Sequence, residues 1–298
     1  MFNKLLIIGC GLIGSSILRA SIKNKIAKKY FVYEKSIKNN STIKKINSKV
    51  ILLKKLDHNI SDIDFIILST PMSSYSRIIT SFNKFLTNKA VITDVGSTKK
   101  NIIKLKNQHL NRKLYWISSH PIAGSEVSGP EYGNKNLFLN KWCVIITEKT
   151  KILKKINLLK KFWKKLGSKV VLMDPSNHDK IFSVTSHLPH LIAYNLIKTA
   201  QDTQKIQKKN LIQYSAGGLR DFSRIAASNE IMWRDIFFSN DNIIKAINLF
   251  TKNLNSFKKI IQSKNNKKLL SKLVNSKKVR KQIVLLKQDV AKPDFGRE

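Results

Sequence analysis

The sequence predicts an α/β fold, with a doubly wound parallel sheet over residues 1–174 and an all-helical domain over residues 175–298. Two observations support this prediction. Short apolar runs alternate with segments of helical spacing up to Asp174, as a doubly wound sheet requires. Beyond Asp174 the spacing is helical only. A length of 298 residues accommodates two domains of ordinary size.

The chain is strongly basic, with 56 Lys and Arg against 18 Asp and Glu and a net charge of +38. Such an excess is typical of proteins that bind nucleic acids or anionic surfaces. Here, however, the basic residues are mostly lysines spread over every predicted helix. No zinc-ligand spacing, helix-turn-helix or aromatic RNA-binding pattern accompanies them. We therefore expect no nucleic-acid partner and infer that the charge attracts an anionic substrate.

The apolar runs are too short for a membrane protein. None approaches the roughly 20 residues of a membrane span, and the run after Met1 is too short for a signal peptide. The two cysteines, Cys10 and Cys143, form no disulfide framework. We expect a cytoplasmic protein without a membrane partner.

A glycine motif follows the first predicted strand, residues 4–8. It reads Gly9-Cys10-Gly11-Leu12-Ile13-Gly14 and precedes a predicted helix over residues 15–25. In this context Gly-x-Gly-x-x-Gly is typical of a Rossmann-like dinucleotide-binding fold. Its glycines permit, in order, a tight turn, close approach of a pyrophosphate and close packing of helix on strand. The helix N-terminus then faces the phosphates.

An acidic residue, Glu34, follows the second predicted strand, residues 30–33, twenty residues beyond Gly14. A carboxylate at this place accepts the ribose hydroxyls and repels a 2′-phosphate, which favours NAD over NADP. We predict that the cofactor contacts the following residues: Gly9, Gly11, Leu12, Ile13, Gly14, Glu34, Thr70 and Pro71.

Two further strands are predicted at residues 64–71, ended by Pro71, and at residues 90–97, with a helix over residues 72–86 between them. Ser97 lies at the carboxyl end of the latter strand, where ligands bind in open α/β sheets. Alternatively, Ser97 caps the helix that follows it. The two interpretations are compatible.

A loop over residues 118–129 contains His120, the main catalytic candidate, after the apolar run 114–117. Histidine changes charge near neutral pH and is the default proton acceptor in a cleft. The structural alternative is a histidine that bonds to the backbone of a tight turn. Ser125, in the same loop, is predicted to contact the substrate.

The remaining strands are predicted at residues 142–147 and 169–173, with a basic helix over residues 151–166 between them. Further helices are predicted over residues 176–200, with a kink at Pro189, and over residues 203–214, 242–261 and 267–287. The tail after Val290 is expected to fray.

Arginine is scarce in this chain, yet Arg220, Arg224 and Arg234 fall within fifteen residues. A guanidinium offers the bidentate geometry that suits a carboxylate. We predict that Arg224 binds the ligand and that the other two are structural. In the alternative, all three pair with acids of the helical domain: Asp221, Glu230 and Asp235.

Six motifs occur in order: Gly9-x-Gly11-x-x-Gly14, Asp94-x-Gly96-Ser97-x-Lys99, His120-Pro121-x-Ala123-Gly124, Ser186-His187-Leu188-Pro189-His190, Gly217-Gly218-Leu219-x-Asp221-Phe222-x-Arg224-Ile225-Ala226 and Met232-Trp233. With this set, the sequence from Lys4 to about Phe250 resembles the prephenate dehydrogenase family, which includes the arogenate and cyclohexadienyl dehydrogenases of tyrosine synthesis. The histidine–proline loop and the arginine segment are its most specific motifs.

The resemblance implies an NAD-binding domain, a helical domain that forms a homodimer, and an active site between them. It implies these residue roles: His120 as the catalytic histidine, Ser97 as its partner, His187 as the second-domain histidine, Arg224 as the substrate-carboxylate ligand, and Gly217 and Trp233 as their neighbours. The implied reaction is the oxidative decarboxylation of prephenate or arogenate, with a histidine base and no metal ion. The sequence does not distinguish these two substrates.

Two other functions remain open. A β-hydroxyacid-type NAD(P)-dependent dehydrogenase acting on another small carboxylate shares the two-domain plan, although that family relies on a lysine–asparagine helix. The other alternative is a basic nucleic-acid-binding protein that retains a Rossmann fold. Turnover of prephenate with NAD would distinguish both from the first interpretation.

Overall fold

The computed structural model describes residues 1–87, 90–148, 153–208 and 210–288. Its strands are β1 (Phe2–Ile8), β2 (Ala27–Tyr33), β3 (Ile51–Leu53), β4 (Phe65–Leu68), β5 (Val91–Asp94), β6 (Tyr115–Trp116), β7 (Ser119–Pro121), β8 (Trp142–Ile146) and β9 (Lys169–Met173). Its α-helices are α1 (Leu12–Lys23), α2 (Lys38–Ile46), α3 (Tyr75–Phe82), α4 (Lys100–His109), α5 (Leu153–Lys165), α6 (Pro175–Phe182), α7 (Leu188–Gln207), α8 (Gly217–Ala226), α9 (Glu230–Ser239), α10 (Asn242–Gln262) and α11 (Asn266–Leu285).

Six parallel strands form the main sheet, in the order β3-β2-β1-β4-β5-β6. This is the strand order of a dinucleotide-binding sheet, whose ligand crevice lies where the order reverses, between β1 and β4. The apolar residues at the end of β1, from Leu5 to Ile8, are completely buried because helices cover both faces of the sheet. The predicted Rossmann-like sheet followed by helices is confirmed.

A second sheet was not predicted. It has three strands in the order β7-β8-β9, with β7 antiparallel to β8 and β8 parallel to β9. The expectation that residues 142–147 and 169–173 continue the doubly wound sheet is therefore wrong. The cause is local: β6 has two residues, and the chain then turns so that Ser118 accepts a hydrogen bond from Ile146 on β8.

The first half also contains a helix and a strand that the sequence analysis did not predict, α2 and β3. The strand β3 is three residues long, and the four-residue apolar run 50–53 that contains it lies between lysine-rich segments. The helix predicted over residues 72–86 is a 3-10 turn followed by α3, which ends at Phe82. The first two residues of the helix predicted over residues 151–166 lie outside the described part of the chain.

In the helical half, two predicted helices differ from the structure, and the helices α8 and α9 were not predicted. The helix predicted over residues 176–200 is divided by a π-helical turn, Ser183–His187, and Pro189 stands in the first turn of α7, where a missing N–H costs little. The separate helix predicted over residues 203–214 is wrong: residues 203–207 are the end of α7, which stops at Gln207 with Lys208 in a left-handed conformation. The tail after Val290 lies outside the described residues. No helix of the described segments is long and apolar enough to cross a membrane.

A buried ion pair holds the carboxyl end of the main sheet. Lys99 Nζ lies 2.6 Å from Asp94 Oδ2 at the end of β5, and both side chains are fully buried. The same ammonium donates to the Ser119 carbonyl on β7, at 2.7 Å. One side chain therefore connects the two sheets.

We predict that Lys99→Met lowers the free energy of unfolding by about 3–5 kcal/mol, because it leaves a buried carboxylate without its cation. Urea denaturation measures this loss. The control is Lys198→Met, which breaks the exposed Lys198–Asp202 pair and should cost less than about 1 kcal/mol. Equal losses in the two variants would contradict the prediction.

Candidate active site

The glycine loop after β1 leaves room for a ligand at its second glycine. Gly9 has φ +85°, and a Cβ there would lie 2.9 Å from the Thr70 backbone nitrogen. A Cβ on Gly14 would lie 2.2 Å from the Gly9 carbonyl oxygen. A Cβ on Gly11 would meet no atom within 4 Å. The first and third glycines are thus required by the fold, and the open space at Gly11 fits an approaching pyrophosphate.

Glu34 lies beside this loop at the end of β2. One carboxylate oxygen accepts a hydrogen bond from the Cys10 backbone N–H at 2.7 Å, and the other accepts one from Ser36 N–H at 2.9 Å. Glu34 lines a cavity of about 720 Å³, here called the β2-side cavity. Among the predicted cofactor residues, this cavity is lined by Gly9, Gly11, Glu34, Thr70 and Pro71.

A second cavity, of about 660 Å³, adjoins the first and is here called the His120 cavity. The two cavities share five lining residues: Gly11, Ser69, Thr70, Pro71 and Gly129. Each has the size of a small-molecule site. Predicted residues that line the His120 cavity are Gly11, Leu12, Ile13, Thr70, Pro71, Ser97, His120, Ser125, Arg224 and Trp233.

Three predicted site residues lie elsewhere. Gly14 packs on the Gly9 carbonyl, beneath the loop. His187 is buried below the His120 cavity, with Nδ1 3.1 Å from the Asn240 side-chain nitrogen. Gly217 is exposed at the beginning of α8 and lines neither cavity of this chain. The structure thus brings most of the predicted site together but not these three.

His120 lies in the short strand β7, paired with Val144 of β8, and not in a loop. His120 as a residue is 8 % exposed, and its Nδ1 lies 2.8 Å from Nε2 of His178. Burial, followed by the charges of His178 and Lys99, holds the pKa of His120 well below its usual range. The ring is therefore neutral at pH 7 and available as a proton acceptor.

Ser97 lines the same cavity but does not cap a helix. The N-terminus of α4 is capped from the helical half instead, because Asp179 accepts hydrogen bonds from the Lys99 and Lys100 backbone N–H groups at 2.8 and 2.9 Å. No hydrogen bond joins the Ser97 hydroxyl to another described residue, so it is free to bind a ligand in the cavity.

Arg224 projects from α8 into the His120 cavity, with its side chain 43 % exposed. Its Nη1 lies 3.6 Å from Oε2 of Glu126, in the loop that follows β7. Ser125 donates its hydroxyl to the same carboxylate at 2.9 Å. The guanidinium thus faces the histidine cavity and is loosely paired with an acid of the sheet-containing half.

Two buried polar atoms lie unpaired beside the cavity. Within the described chain, neither the Trp233 indole Nε1 nor His187 Nε2 has a hydrogen-bond partner. Burial lowers the pKa of His187 to about 4, so it is neutral at physiological pH. Unpaired buried polar atoms are rare in folded proteins. Of these two residues, Trp233 lines the His120 cavity and His187 does not. In the described residues, no group of three or more His, Cys, Asp or Glu side chains could hold a metal ion.

The glycine loop, the paired cavities and the neutral histidine define a dinucleotide-dependent dehydrogenase. Residues 19–172 match the family profile described as the prephenate dehydrogenase nucleotide-binding domain, and residues 174–275 match the prephenate dehydrogenase dimerization domain. The chain belongs to the prephenate dehydrogenase family, and the resemblance seen in its sequence is confirmed.

Individual proteins similar to this chain belong to the same family. The chain is 33% identical to the prephenate dehydrogenase of Lactococcus lactis over 299 aligned residues, covering 98% of this chain and 80% of the relative. It is 30% identical to the cyclohexadienyl dehydrogenase of Zymomonas mobilis over 240 residues, covering 80% and 82%. The crystal structure of Aquifex aeolicus prephenate dehydrogenase with hydroxyphenyl propionate and NAD+ is similar at a TM-score of 0.86 and 33% identity, covering 95% of this chain and 99% of that one.

Three acids and a histidine at the site were not predicted from the sequence. Glu126 and Asp235 line the His120 cavity, and His178 and Asp179 lie behind His120. A signal was available: acids are few in this chain, so an acid inside a motif-bearing segment is unusual. Their roles depend on contacts between distant segments, which spacing along the chain does not show.

Proposed function

We propose that this chain catalyses the NAD-dependent oxidative decarboxylation of prephenate to 4-hydroxyphenylpyruvate, with arogenate as a second substrate to be tested. One observation carries the proposal: a buried, neutral histidine lies between an open glycine loop and an arginine, in one cavity. Oxidation of a ring alcohol that carries carboxylates needs these three parts. The names of the relatives support the same reaction and include both prephenate and arogenate as substrates.

NAD fits the two cavities. Its pyrophosphate would lie against Gly11 and the N-terminus of α1, and its adenosine ribose would lie near Glu34. Thr70 and Pro71, which line both cavities, would border the nicotinamide side. NAD bound in this way supplies the acceptor for the hydride of the ring carbon.

The residues of the chain then perform binding and proton transfer. His120 accepts the hydroxyl proton at Nε2, because Nδ1 is engaged by His178. Arg224 binds a substrate carboxylate through its guanidinium and exchanges its long contact with Glu126 for that ligand. Ser97 and Ser125, which line the cavity, offer hydroxyls to the substrate. Loss of the ring carboxylate as CO2 makes the ring aromatic and the reaction irreversible.

The reaction is tested by NAD-dependent absorbance assays with prephenate and with arogenate, on wild type and His120→Asn. We expect wild type to turn over at least prephenate. The variant should bind NAD normally and lose roughly 10²–10⁴-fold in kcat, the usual contribution of a general base. Near-wild-type turnover of the variant would assign the base to another residue. Activity only toward an unrelated hydroxyacid would overturn the proposed substrate.

Cofactor choice provides a second prediction. The Glu34 carboxylate should repel a 2′-phosphate, so wild type should use NAD in preference to NADP. Glu34→Ala should narrow this preference, measured as the ratio of kcat/KM with the two cofactors. The exposed Asp202→Ala serves as the control for loss of one negative charge. Equal or better use of NADP by wild type would contradict the prediction.

The proposed binding of a substrate carboxylate by Arg224 provides a third prediction. Arg224→Lys keeps the charge but loses the bidentate fork, so the KM for prephenate should rise by roughly 10- to 100-fold, or about 1.4–3 kcal/mol. NAD binding and the melting temperature should stay near wild type. The control is Arg112→Lys, on the surface away from both cavities. A lowered melting temperature with an unchanged KM would make Arg224 a structural residue.

The helical half supports a homodimer. The helix α11 has no buried residue, although Leu270, Leu273 and Val274 are about half exposed. On α10, Leu249 and Leu254 are exposed as well. A second copy would cover this apolar surface, as the matching dimerization profile suggests.

Light scattering at micromolar concentration should therefore give twice the 34.1 kDa mass of the chain. A double variant, Leu270→Glu with Leu273→Glu, should shift the mass toward the monomer, because it buries two charges in the proposed interface. A wild-type mass of one chain would contradict the homodimer.

A further inference from the structure

Behind His120, three side chains form a hydrogen-bonded chain that leads away from the cavity. His120 Nδ1 lies 2.8 Å from His178 Nε2, and His178 Nδ1 lies 2.8 Å from Asp179 Oδ1. His178 and Asp179 are 0 % and 1 % exposed. The His120 cavity is not lined by either of them. They therefore contact His120 without reaching the substrate.

Donor and acceptor rules fix the protons along this chain. An ionised carboxylate only accepts, so Asp179 requires the proton of neutral His178 to be on Nδ1. His178 Nε2 is then an acceptor and requires the proton of His120 to be on Nδ1. His120 Nε2 is left with a lone pair, which is the state that a general base needs.

The carboxylate at the end of the chain is itself held in place. Asp179 Oδ1 and Oδ2 accept the Lys99 and Lys100 backbone N–H groups at the beginning of α4. Three donors thus converge on one ionised group, which the helix N-terminus also stabilises. Asp179 belongs to α6, and α4 is the helix that follows strand β5 of the main sheet, so the contact joins the two halves of the chain.

We propose that His178 and Asp179 are positioning residues, which hold His120 in the tautomer with Nδ1 protonated and Nε2 free toward the substrate. This inference rests on the proposed role of His120 as the base. It assigns a purpose to a histidine that touches neither cavity. In hydrolytic triads a buried carboxylate bonds directly to the catalytic histidine and fixes its tautomer. Here a second imidazole, that of His178, lies between the carboxylate and His120.

Two substitutions at one position test the proposal. His178→Leu removes the acceptor for His120 Nδ1, and kcat should fall by about 10²-fold while the KM for prephenate and the Kd for NAD change by less than roughly threefold. In His178→Gln, the amide oxygen can accept from His120 while the amide nitrogen donates to Asp179. This variant should retain kcat within about tenfold of wild type. His109→Leu, at an exposed histidine of α4, is the control for loss of an imidazole.

The results separate positioning from a merely structural role. Wild-type kcat in His178→Leu would overturn the proposal. So would a loss in His178→Gln as large as that in His178→Leu, because the restored hydrogen bonds would then be irrelevant. A joint collapse of NAD affinity, KM and melting temperature in both variants would make His178 a structural residue and also overturn it.

A second measurement does not depend on activity. If wild type fails to turn over prephenate, the proposed function is wrong, but the proposed tautomer of His120 can still be tested. In nitrogen-15 NMR spectra of the holoprotein at neutral pH, His120 should be protonated at Nδ1 and bare at Nε2 in wild type and in His178→Gln. The signal should change to a mixture of tautomers in His178→Leu. A wild-type His120 protonated at Nε2 would overturn the inference regardless of activity.

Discussion

The buried pair of Lys99 and Asp94 is the constraint on which the active site depends. Asp94 accepts hydrogen bonds from the Lys99 ammonium, from the Trp116 indole at 2.9 Å and from the Gly96 backbone N–H at 2.9 Å. Lys99 also donates to the carbonyl of Ser119, next to His120. Burying such a pair is expensive, and a hydrophobic replacement would serve stability alone equally well. What the pair provides here is a fixed position for strand β7, which carries His120, and a cation close to that histidine.

The positive charge of Lys99 also affects the pKa of His120. Burial is the main cause of the lowered pKa of His120, and the nearby Lys99 ammonium adds to it. The chain is lysine-rich throughout, yet this lysine is held inside by an acid, and a second acid, Asp179, receives its backbone N–H. The chain has only 18 Asp and Glu residues, and two of them, Asp94 and Asp179, hold buried contacts that the abundant surface lysines do not make. They connect the sheet, the histidine strand and the helical half.

Sequence patterns predicted the parts of the fold that rest on local signals. The glycine motif and the buried strands β1, β4 and β5 were recognised because each is a continuous apolar run in a parallel sheet. The second sheet was not, since β7 is three residues long and pairs with a strand more than twenty residues away. The π-helical turn before Pro189 and the early end of α7 escaped notice because helical spacing continues through both.

In the candidate site, too, residues within sequence motifs were predicted, whereas residues whose contacts are distant in sequence were not. His120, Ser97 and Arg224 carry motifs and were predicted, and the structure places all three on one cavity. His187 and Gly217 were expected on the basis of family resemblance, and within this chain they do not line that cavity. His178 could not be assigned from its neighbours in sequence, because its partner His120 is 58 residues away and the contact exists only once the two halves have packed together.

Burial beside His178 and Lys99 keeps the pKa of His120 well below the usual range of histidine, so the ring stays neutral there. The most direct test is the pH dependence of kcat/KM for prephenate at saturating NAD, which reports the ionisation of the enzyme before the substrate binds. Because the active form is the deprotonated one, log kcat/KM should rise with pH and reach its plateau with an apparent pKa below 6.5, the ordinary value for histidine. An apparent pKa at or above 6.5 that disappears in His120→Asn would contradict the account.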